Sequence, residues 1–332
     1  MTVSVHIVTW NSELFLPTLL QSLKTQTRQP DRILVIDNAS ADQTLNIIKQ
    51  WPGVHLLRNT RNLGFARAHN QAIAISPAEA ILVTNPDVIL TPSCIAKLAA
   101  ALEENVNTGS VSAKLLRYTL DPHDLSQPQP SDTVDVAGLV LRRSRQVVNR
   151  GEGSSESFDR PADVFGAPGV LALYRRQALE DVKINGELFD EDFFAYKEDA
   201  DLAWRLRWAG WSARYIPSAV AYHHRAQPHH DDTVRGVSAV RPHRSPAIRT
   251  WSYRNHLLML VKNETAGTFW PHLPFILFYE LRRLGYLLWR EWSTLKGLWQ
   301  AIRLLPRMIK KRRVIAQHRR LSSAAFRRLI TP

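Results

Sequence analysis

In the stretch DEDFFAYKEDADLAWRLRWAG, residues 190–210, the carboxylates Asp190, Glu191, Asp192, Glu198, Asp199 and Asp201 fall within twelve positions, beside Phe193, Phe194 and Tyr196. A carboxylate walled by aromatic rings is partly desolvated, which tunes it toward a general base near neutral pH. Such a base serves to deprotonate a hydroxyl that attacks an activated group. The plainer reading is structural. YKEDADLAWRLRWAGW has a helical period, with Leu202, Leu206, Trp208 and Ala209 on one face and Gly210 as its stop. Glu198, Asp199 and Asp201 in its first turn would then complement free N–H groups and the helix dipole. That reading accounts for the helix and leaves the acidic, aromatic approach to it unexplained.

The first hundred residues supply a frame that could position such a base. VSVHIVTW (3–10), RILVIDNAS (32–40), VHLLRN (54–59) and AILVTNPDV (80–88) read as strands. ELFLPTLLQSLKTQ, GFARAHNQAIAIS and PSCIAKLAAALEE read as helices, the last with Thr91 as N-cap and Pro92 in its first turn. This alternation predicts an α/β domain whose mostly parallel central sheet is flanked by helices. Ligands of such sheets bind beyond the carboxyl ends of the strands. Here those ends carry Thr9 and Asn11, then Asp37, Asn38 and Ser40, then Asn85 and Asp87. One polar strand end is common in any α/β protein; three together, two of them with Asp, point to a nucleotide-type site. The stretch 120–132 reads as a long surface loop. The His- and Arg-rich stretch 223–246 reads as a connector, dividing the chain into a domain at 1–240 and a basic helical segment at 241–332.

The net charge of +13 is concentrated at the end of the chain. After Glu291 no acidic residue follows, whereas Lys296, Arg303, Arg307, Lys310, Lys311, Arg312, Arg313, Arg319, Arg320, Arg327 and Arg328 supply eleven positive charges, so 13 − 11 leaves +2 for residues 1–291. A single cysteine, Cys94, excludes an internal disulfide framework and a Cys-rich metal site. The N-terminus MTVSVHIVTW lacks the pattern of a signal peptide, and a cytoplasmic location is expected.

Taken in order, VTWNS, VIDNAS, NLGFARAHN, TNPDV, FGAPGVLALYRR, FDEDFFAYKEDADLAWRLRWAGW and YHH resemble the inverting glycosyltransferases of family 2, nearest its rhamnosyltransferase-like bacterial branch. The resemblance runs from residue 3 to about 225 and, more loosely, over 250–262. It implies a GT-A type fold that binds a nucleoside-diphosphate-sugar and a divalent ion, Mg²⁺ or Mn²⁺. Carried over by position, it places Thr9, Asn11, Asp37, Asn38, Ser40, Gly64, Asn70 and Asn85 at the donor nucleotide, where Arg67 and His69 would add positive charge. It makes Asp199 the general base with Glu198 beside it, and assigns Gly166, Ala167 and Asp201 to the sugar or acceptor subsite. Asp87 and His223 become metal ligands, with His224 as the alternative register. NPD departs from the family's Asp-x-Asp, because Asn85 stands where the first carboxylate would be. Each assignment has a plainer counterpart: Asp37 as a helix cap, Arg67 and His69 as a solvated face, GAPG (166–169) as a tight turn, and the histidines as surface residues of a basic linker.

From Leu281 the residues Leu281, Leu284, Leu288, Trp292, Leu295, Trp299 and Ile302 recur at helical spacing with Arg and Lys mostly between them, an amphipathic pattern. The apolar run TFWPHLPFILFY is twelve residues long, short of the roughly 20 that span a bilayer. Peripheral attachment to an anionic membrane on its inner, cytoplasmic face is therefore expected, with KKRR (310–313) adding attraction. Packing on the protein's own domain or on a partner is the alternative; nucleic acid is not expected, since no nucleic-acid fold signature accompanies the basic run. Together these features describe a metal-dependent, inverting hexosyltransferase acting on a lipid-linked or glycan acceptor in cell-envelope polysaccharide synthesis. Two other classes remain: an inactive nucleotide-sugar- or glycan-binding protein, favoured by Asn85, and a nucleotidyltransferase, disfavoured because TWNSELFL lacks a Gly- and Lys/Arg-rich loop.

Overall fold

The computed structural model describes residues 1–121, 124, 127–224 and 245–332. The connector at 223–246, for most of its length, and the boundary expected at residue 240 lie outside the described residues. The strands β1 (Val3–Thr9), β2 (Arg32–Asp37), β3 (Val54–Arg58) and β4 (Ala80–Thr84) form a parallel set in the order β4-β1-β2-β3. The Val, Ile and Leu residues of β1, β2 and β4 are mostly buried on both faces, whereas Leu56 of the edge strand β3 is exposed. Val3, Val5 and Ile7 pack with helices α1 (Leu16–Lys24) and α4 (Cys94–Glu104). Leu34 and Ile36 pack with Ala68 and Ala72 of α3 (Gly64–Ile75). Helix α2 (Thr44–Lys49) follows β2. Thr91 does not cap α4: its hydroxyl donates to the Val220 carbonyl, and Ser93 occupies the cap position without a side-chain bond.

Beyond β4 the sheet changes direction. Strand β5 (Val88–Leu90) sits on β12, and β6 (Thr108–Leu120) pairs antiparallel with β7 (Pro128–Val136), so residues 128–132 are strand rather than loop. Pro128 and Pro130 are tolerated there because β7 pairs on one side only. The hairpin β8 (Leu139–Arg142) and β9 (Val147–Asn149) forms a second small sheet. Strand β10 (Ala162–Asp163) edges the main sheet, and β11 (Leu171–Arg175), followed by α5 (Arg176–Glu180), runs antiparallel between β4 and β6. The long β12 (Ser212–His224) pairs parallel with β6. The sheet is therefore mixed: parallel where the chain alternates strictly, antiparallel where β11 is inserted.

Between β11 and β12 lies α6 (Glu198–Trp208), stopped by Gly210 at φ +87° as its C′ residue. Leu202 and Leu206 face the sheet. Ala200, Ala203, Trp204 and Trp208 face a second layer built from the chain's last elements: α7 (Pro246–Asn263), α8 (Ala266–Phe269), α9 (Leu273–Arg290), α10 (Lys296–Gln317), α11 (Ser323–Arg327) and β13 (Ile330–Thr331). Phe326 stacks on Trp208 with centroids 4.0 Å apart, and β13 pairs with β8. The C-terminal segment therefore completes the core around α6.

Candidate active site

All of α6 is buried except Asp199, which is half-buried. Its Oδ2 accepts the Gly169 N–H at 3.0 Å, and the neighbouring Val170 carbonyl accepts the Asn85 N–H at 3.0 Å. One turn, residues 168–170, thus ties the end of β4 to the start of α6. A Cβ on Gly169 would lie 3.2 Å from the Cβ of Asp199, so the site depends on this close approach. Beside it Glu198 is buried, and its Oε2 has no hydrogen-bond partner. Burial, reinforced by the Asp199 charge, pushes the Glu198 carboxyl well above its ordinary value. Burial and the same two carboxylates push the Tyr174 phenol up as well, and its hydroxyl is buried without a partner.

The parallel strand ends form the second part. Asp37 is fully buried; its Oδ1 accepts from Thr9 Oγ1 at 3.0 Å and Ser40 Oγ at 2.5 Å, and its Oδ2 accepts the Ser40 N–H at 3.1 Å. Asn11 crosses from β1, donating its N–H to Ser40 Oγ (2.9 Å) and accepting the Ala41 N–H (2.9 Å). Asn38 donates to the Gly64 carbonyl (3.2 Å) and accepts from Asn59 (2.9 Å), fixing the entry to α3. Gly64 has φ +81°, and a Cβ there would fall 2.5 Å from the Phe194 carbonyl oxygen, so no larger residue fits. An open cleft of about 480 Å³ lies at this end, lined by Asn11, Glu13, Leu14, Phe15, Ala41 and Asp42.

Phe15 leads from that cleft to the third part, its ring 4.8 Å from that of His224. His223 Nε2 lies 3.5 Å from Asp87 Oδ2, while its Nδ1 is held by Asp135 Oδ2 at 2.7 Å. Burial disfavours the imidazolium, but the carboxylates of Asp87 and Asp135 outweigh it and hold His223 up to about 9. Asp87 Oδ1 is buried without a hydrogen-bond partner. An oxygen awaiting a partner, facing an imidazole oriented by a carboxylate behind it, suits a divalent cation. Among the described residues no group of three or more His, Cys, Asp or Glu is arranged to hold a metal. His224 turns away, against Phe15 and Tyr118.

Several predicted residues do other work. Asn70 is consumed by the segment before the acidic turn: its Nδ2 donates to the Phe189 carbonyl and Glu191, and its Oδ1 accepts the Leu188 and Phe189 N–H groups. It does not face the nucleotide end. Asp201 is buried against Lys262 (2.8 Å), Arg205 (3.0 Å) and Asn263 (2.7 Å), leaving nothing for an acceptor. Gly166 packs on α6, where its added Cβ would meet Ala203 Cβ at 2.2 Å, and Ala167 is buried in the core beside it. His69 supplies no positive charge: it is buried between Phe65 and Phe189, and burial holds it well below its ordinary value. Arg67 pairs with Glu191 at 3.5 Å.

The acidic approach turns out to be a docking surface for the C-terminal helices. Asp190 binds Lys262 and Lys311, and Asp192 binds Lys311 (3.0 Å) and Arg307. Burial opposes the Asp190 charge, yet the two lysines outweigh it and hold its carboxyl well below the usual range. Gly169 and Asp135 were missed. Gly169 stands in the quoted GAPG motif; Asp135 lies in the TVDV alternation of β7, a strand signal that names no chemistry.

Glycosyl transferase family 2 matches residues 4–183. The chain belongs to glycosyltransferase family 2. It is 30% identical over 251 residues to the N-acetylglucosaminyl-diphospho-decaprenol L-rhamnosyltransferase of Mycobacterium tuberculosis, covering 71% of this chain and 80% of that relative. It is 26% identical over 257 residues to rhamnosyltransferase WbbL of Escherichia coli, covering 74% and 91%. Among solved structures, S. aureus TarS 1–349 in complex with UDP superposes with TM-score 0.55 at 16% identity, covering 99% of this chain and 92% of that one. GalNAc-T7 with UDP, GalNAc and Mn²⁺ superposes with TM-score 0.58 at 16% identity, over 79% and 48%. The glycosyltransferase is thus rhamnosyltransferase-like in sequence and GT-A type in fold.

Proposed function

We propose that this glycosyltransferase moves a sugar, rhamnose on a thymidine diphosphate carrier being the first candidate, to a hydroxyl of a lipid-linked envelope glycan with inversion. The observation that carries the reading is Asp199: the one half-buried position of an otherwise buried helix, fixed by Gly169 N–H next to the turn that meets Asn85. Asp199 takes the proton of the acceptor hydroxyl as that oxygen attacks the anomeric carbon, and the C–O bond to the diphosphate breaks in the same step. Burial and the Asp199 charge favour the neutral form of Glu198, which leaves Asp199 as the readier acceptor of that proton. The ends of β1 and β2 cradle the nucleotide. Asp87 and His223 would hold a Mg²⁺ or Mn²⁺ ion, whose positive charge offsets that of the leaving diphosphate. His224 and Tyr118 wall the same end.

The amphipathic prediction bears on the acceptor. Leu281, Leu288, Trp292, Trp299 and Ile302 are exposed, as are Trp270, Phe278 and Trp289, the last at 73%. The stretch is broken at 291–295 into two helices, which turn other side chains to the core: Leu287 from α9, Met308 and Ile315 from α10. Exposed Arg282, Arg290, Arg303, Lys310 and Arg313 flank this apolar face. Of KKRR, Lys311 is buried against Asp190 and Arg312 bonds the Val261 carbonyl, so two of the four charges remain outward. No helix among the described residues is long and apolar enough to cross a membrane. A broad apolar surface rimmed by cations fits the interface of an anionic bilayer. The enzyme would work there from the cytoplasmic side, where a lipid-linked acceptor is within reach.

The test is release of nucleoside diphosphate from a panel of nucleotide-sugars, with Mg²⁺, Mn²⁺ or EDTA, beside Asp199→Asn and Asp87→Ala. Consumption of one donor, abolished by EDTA and by both variants, is the expected result. No consumption and no donor binding by calorimetry would leave the inactive binding protein that Asn85 favours.

A further inference from the structure

The residues leading into α6 have an unusual backbone. Phe194, Tyr196 and Lys197 have φ of 64°, 72° and 70°, the left-handed region that L side chains avoid. Lys197 is the N-cap of α6 and makes no side-chain capping bond. Something other than local preference must hold this turn. Two helices do. Asn255 of α7 is completely buried, and its Nδ2 donates to the carbonyls of Phe193 (2.9 Å), Ala195 (2.9 Å) and Tyr196 (2.8 Å). Arg254 donates to the carbonyls of Asp192 (2.9 Å) and Phe193 (3.0 Å), and its Nε orients Asn255 Oδ1 at 2.9 Å. The remaining carbonyl, that of Phe194, accepts the Ala66 N–H of α3 at 3.2 Å, and the Phe194 ring packs on Trp251, 4.7 Å away.

We propose that Asn255 is a positioning residue for the transfer, clamping the turn 193–197, with Phe194, Tyr196 and Lys197 at positive φ, and so fixing the first turn of α6 with Asp199 on it. This rests on Asp199 being the base. One amide reaching three carbonyls of a turn is a device that Ala, Asp or Ser cannot reproduce, because only Asn supplies a short NH₂ group with two donors. The clamp also explains why the donor-side helix α3 and the C-terminal helix α7 meet at a single turn. A displacement of about 1 Å at a base is enough to cost roughly a hundredfold in rate.

The experiment compares wild type, Asn255→Ala, the isosteric Asn255→Asp and the double variant Asn255→Ala/Lys197→Gly in the full chain, using thymidine-diphosphate-rhamnose or whichever donor the panel selects. The expected result is a fall in kcat of about a hundredfold for both single variants, with donor KM and calorimetric affinity within about twofold. Glycine accepts positive φ without strain, so Lys197→Gly should restore at least tenfold of the loss. Hydrogen exchange of the 193–200 peptide should quicken in the single variants. Equal losses in kcat, donor affinity and thermal midpoint, or no rescue by glycine, would overturn the proposal in favour of a merely structural Asn255. If wild type consumes no donor, the base assignment falls instead, and exchange still decides the clamp: unchanged exchange at 193–200 overturns it.

Discussion

Two acidic groups lie within one short stretch of this chain and meet opposite fates. At the turn, Asp190 and Asp192 are neutralised by Lys262, Lys311 and Arg307 from helices far along the sequence. A few residues later, Glu198 and Asp199 form no ion pair among the described residues; Asp199 accepts two backbone N–H groups, and Glu198 Oε2 accepts nothing. Residue type and spacing are alike in the two groups. What separates them is the partner that the fold brings, which converts the first group into an adhesive and leaves the second available for proton transfer.

The largest break in this contrast should come from Asp199→Asn, which keeps shape and removes basicity. Transfer should fall by about 10²- to 10⁴-fold with the thermal midpoint nearly unchanged, measured by diphosphate release and scanning calorimetry. Lys262→Met should do the reverse. It leaves buried Asp190 and Asp201 short of a cation and should cost about 3–5 kcal/mol in denaturant unfolding. An activity loss without a stability loss in that variant would erase the distinction.

Glu198→Gln sharpens the pH side. Because folding raises the Glu198 pKa, its contribution to stability is full below the ordinary value and is lost as pH rises through the folded value. The wild type should therefore lose midpoint as pH rises above the ordinary carboxylate range by more than the Gln variant does. Asp190 has the opposite sign: its depressed pKa contributes stability that disappears as acid titrates the folded carboxylate, and Asp190→Asn should flatten the acid arm. The smallest effect belongs to Arg307→Gln. That side chain is 63% exposed, and its pair with Asp192 should be worth about 0–1 kcal/mol in urea unfolding.

The parallel half of the sheet was legible because each strand is a short apolar run and the polar residues at its end stand next in sequence. Thr9, Asp37 and Ser40 meet one another, and the quoted NPD and YHH motifs meet through Asp87 and His223. The contacts of Asn70, Gly166 and Asp201 were not legible, for one reason. Each sits at a motif position, yet its partner is a backbone or side chain tens of residues away: Phe189, Ala203 and Lys262. The antiparallel entry of β11 and the role of β7 were hidden likewise, since neither direction nor partner is written in a strand's own periodicity. The amphipathic spacing marked the right residues but could not say whether they face protein or solvent.

Phe326 on Trp208, and β13 on β8, have a consequence for biosynthesis. As the chain emerges from the ribosome, β1, β2 and β3 have every strand partner they need once residue 84 is made. Helix α6 does not: Phe326, which stacks on both Trp204 and Trp208, completes their cover only after it has left the exit tunnel. Over that interval the nascent protein displays two adjacent indoles and an uncompensated run of carboxylates. It is then a natural client for chaperones, and a translation product cut short anywhere in the last helices leaves that apolar surface open to aggregation.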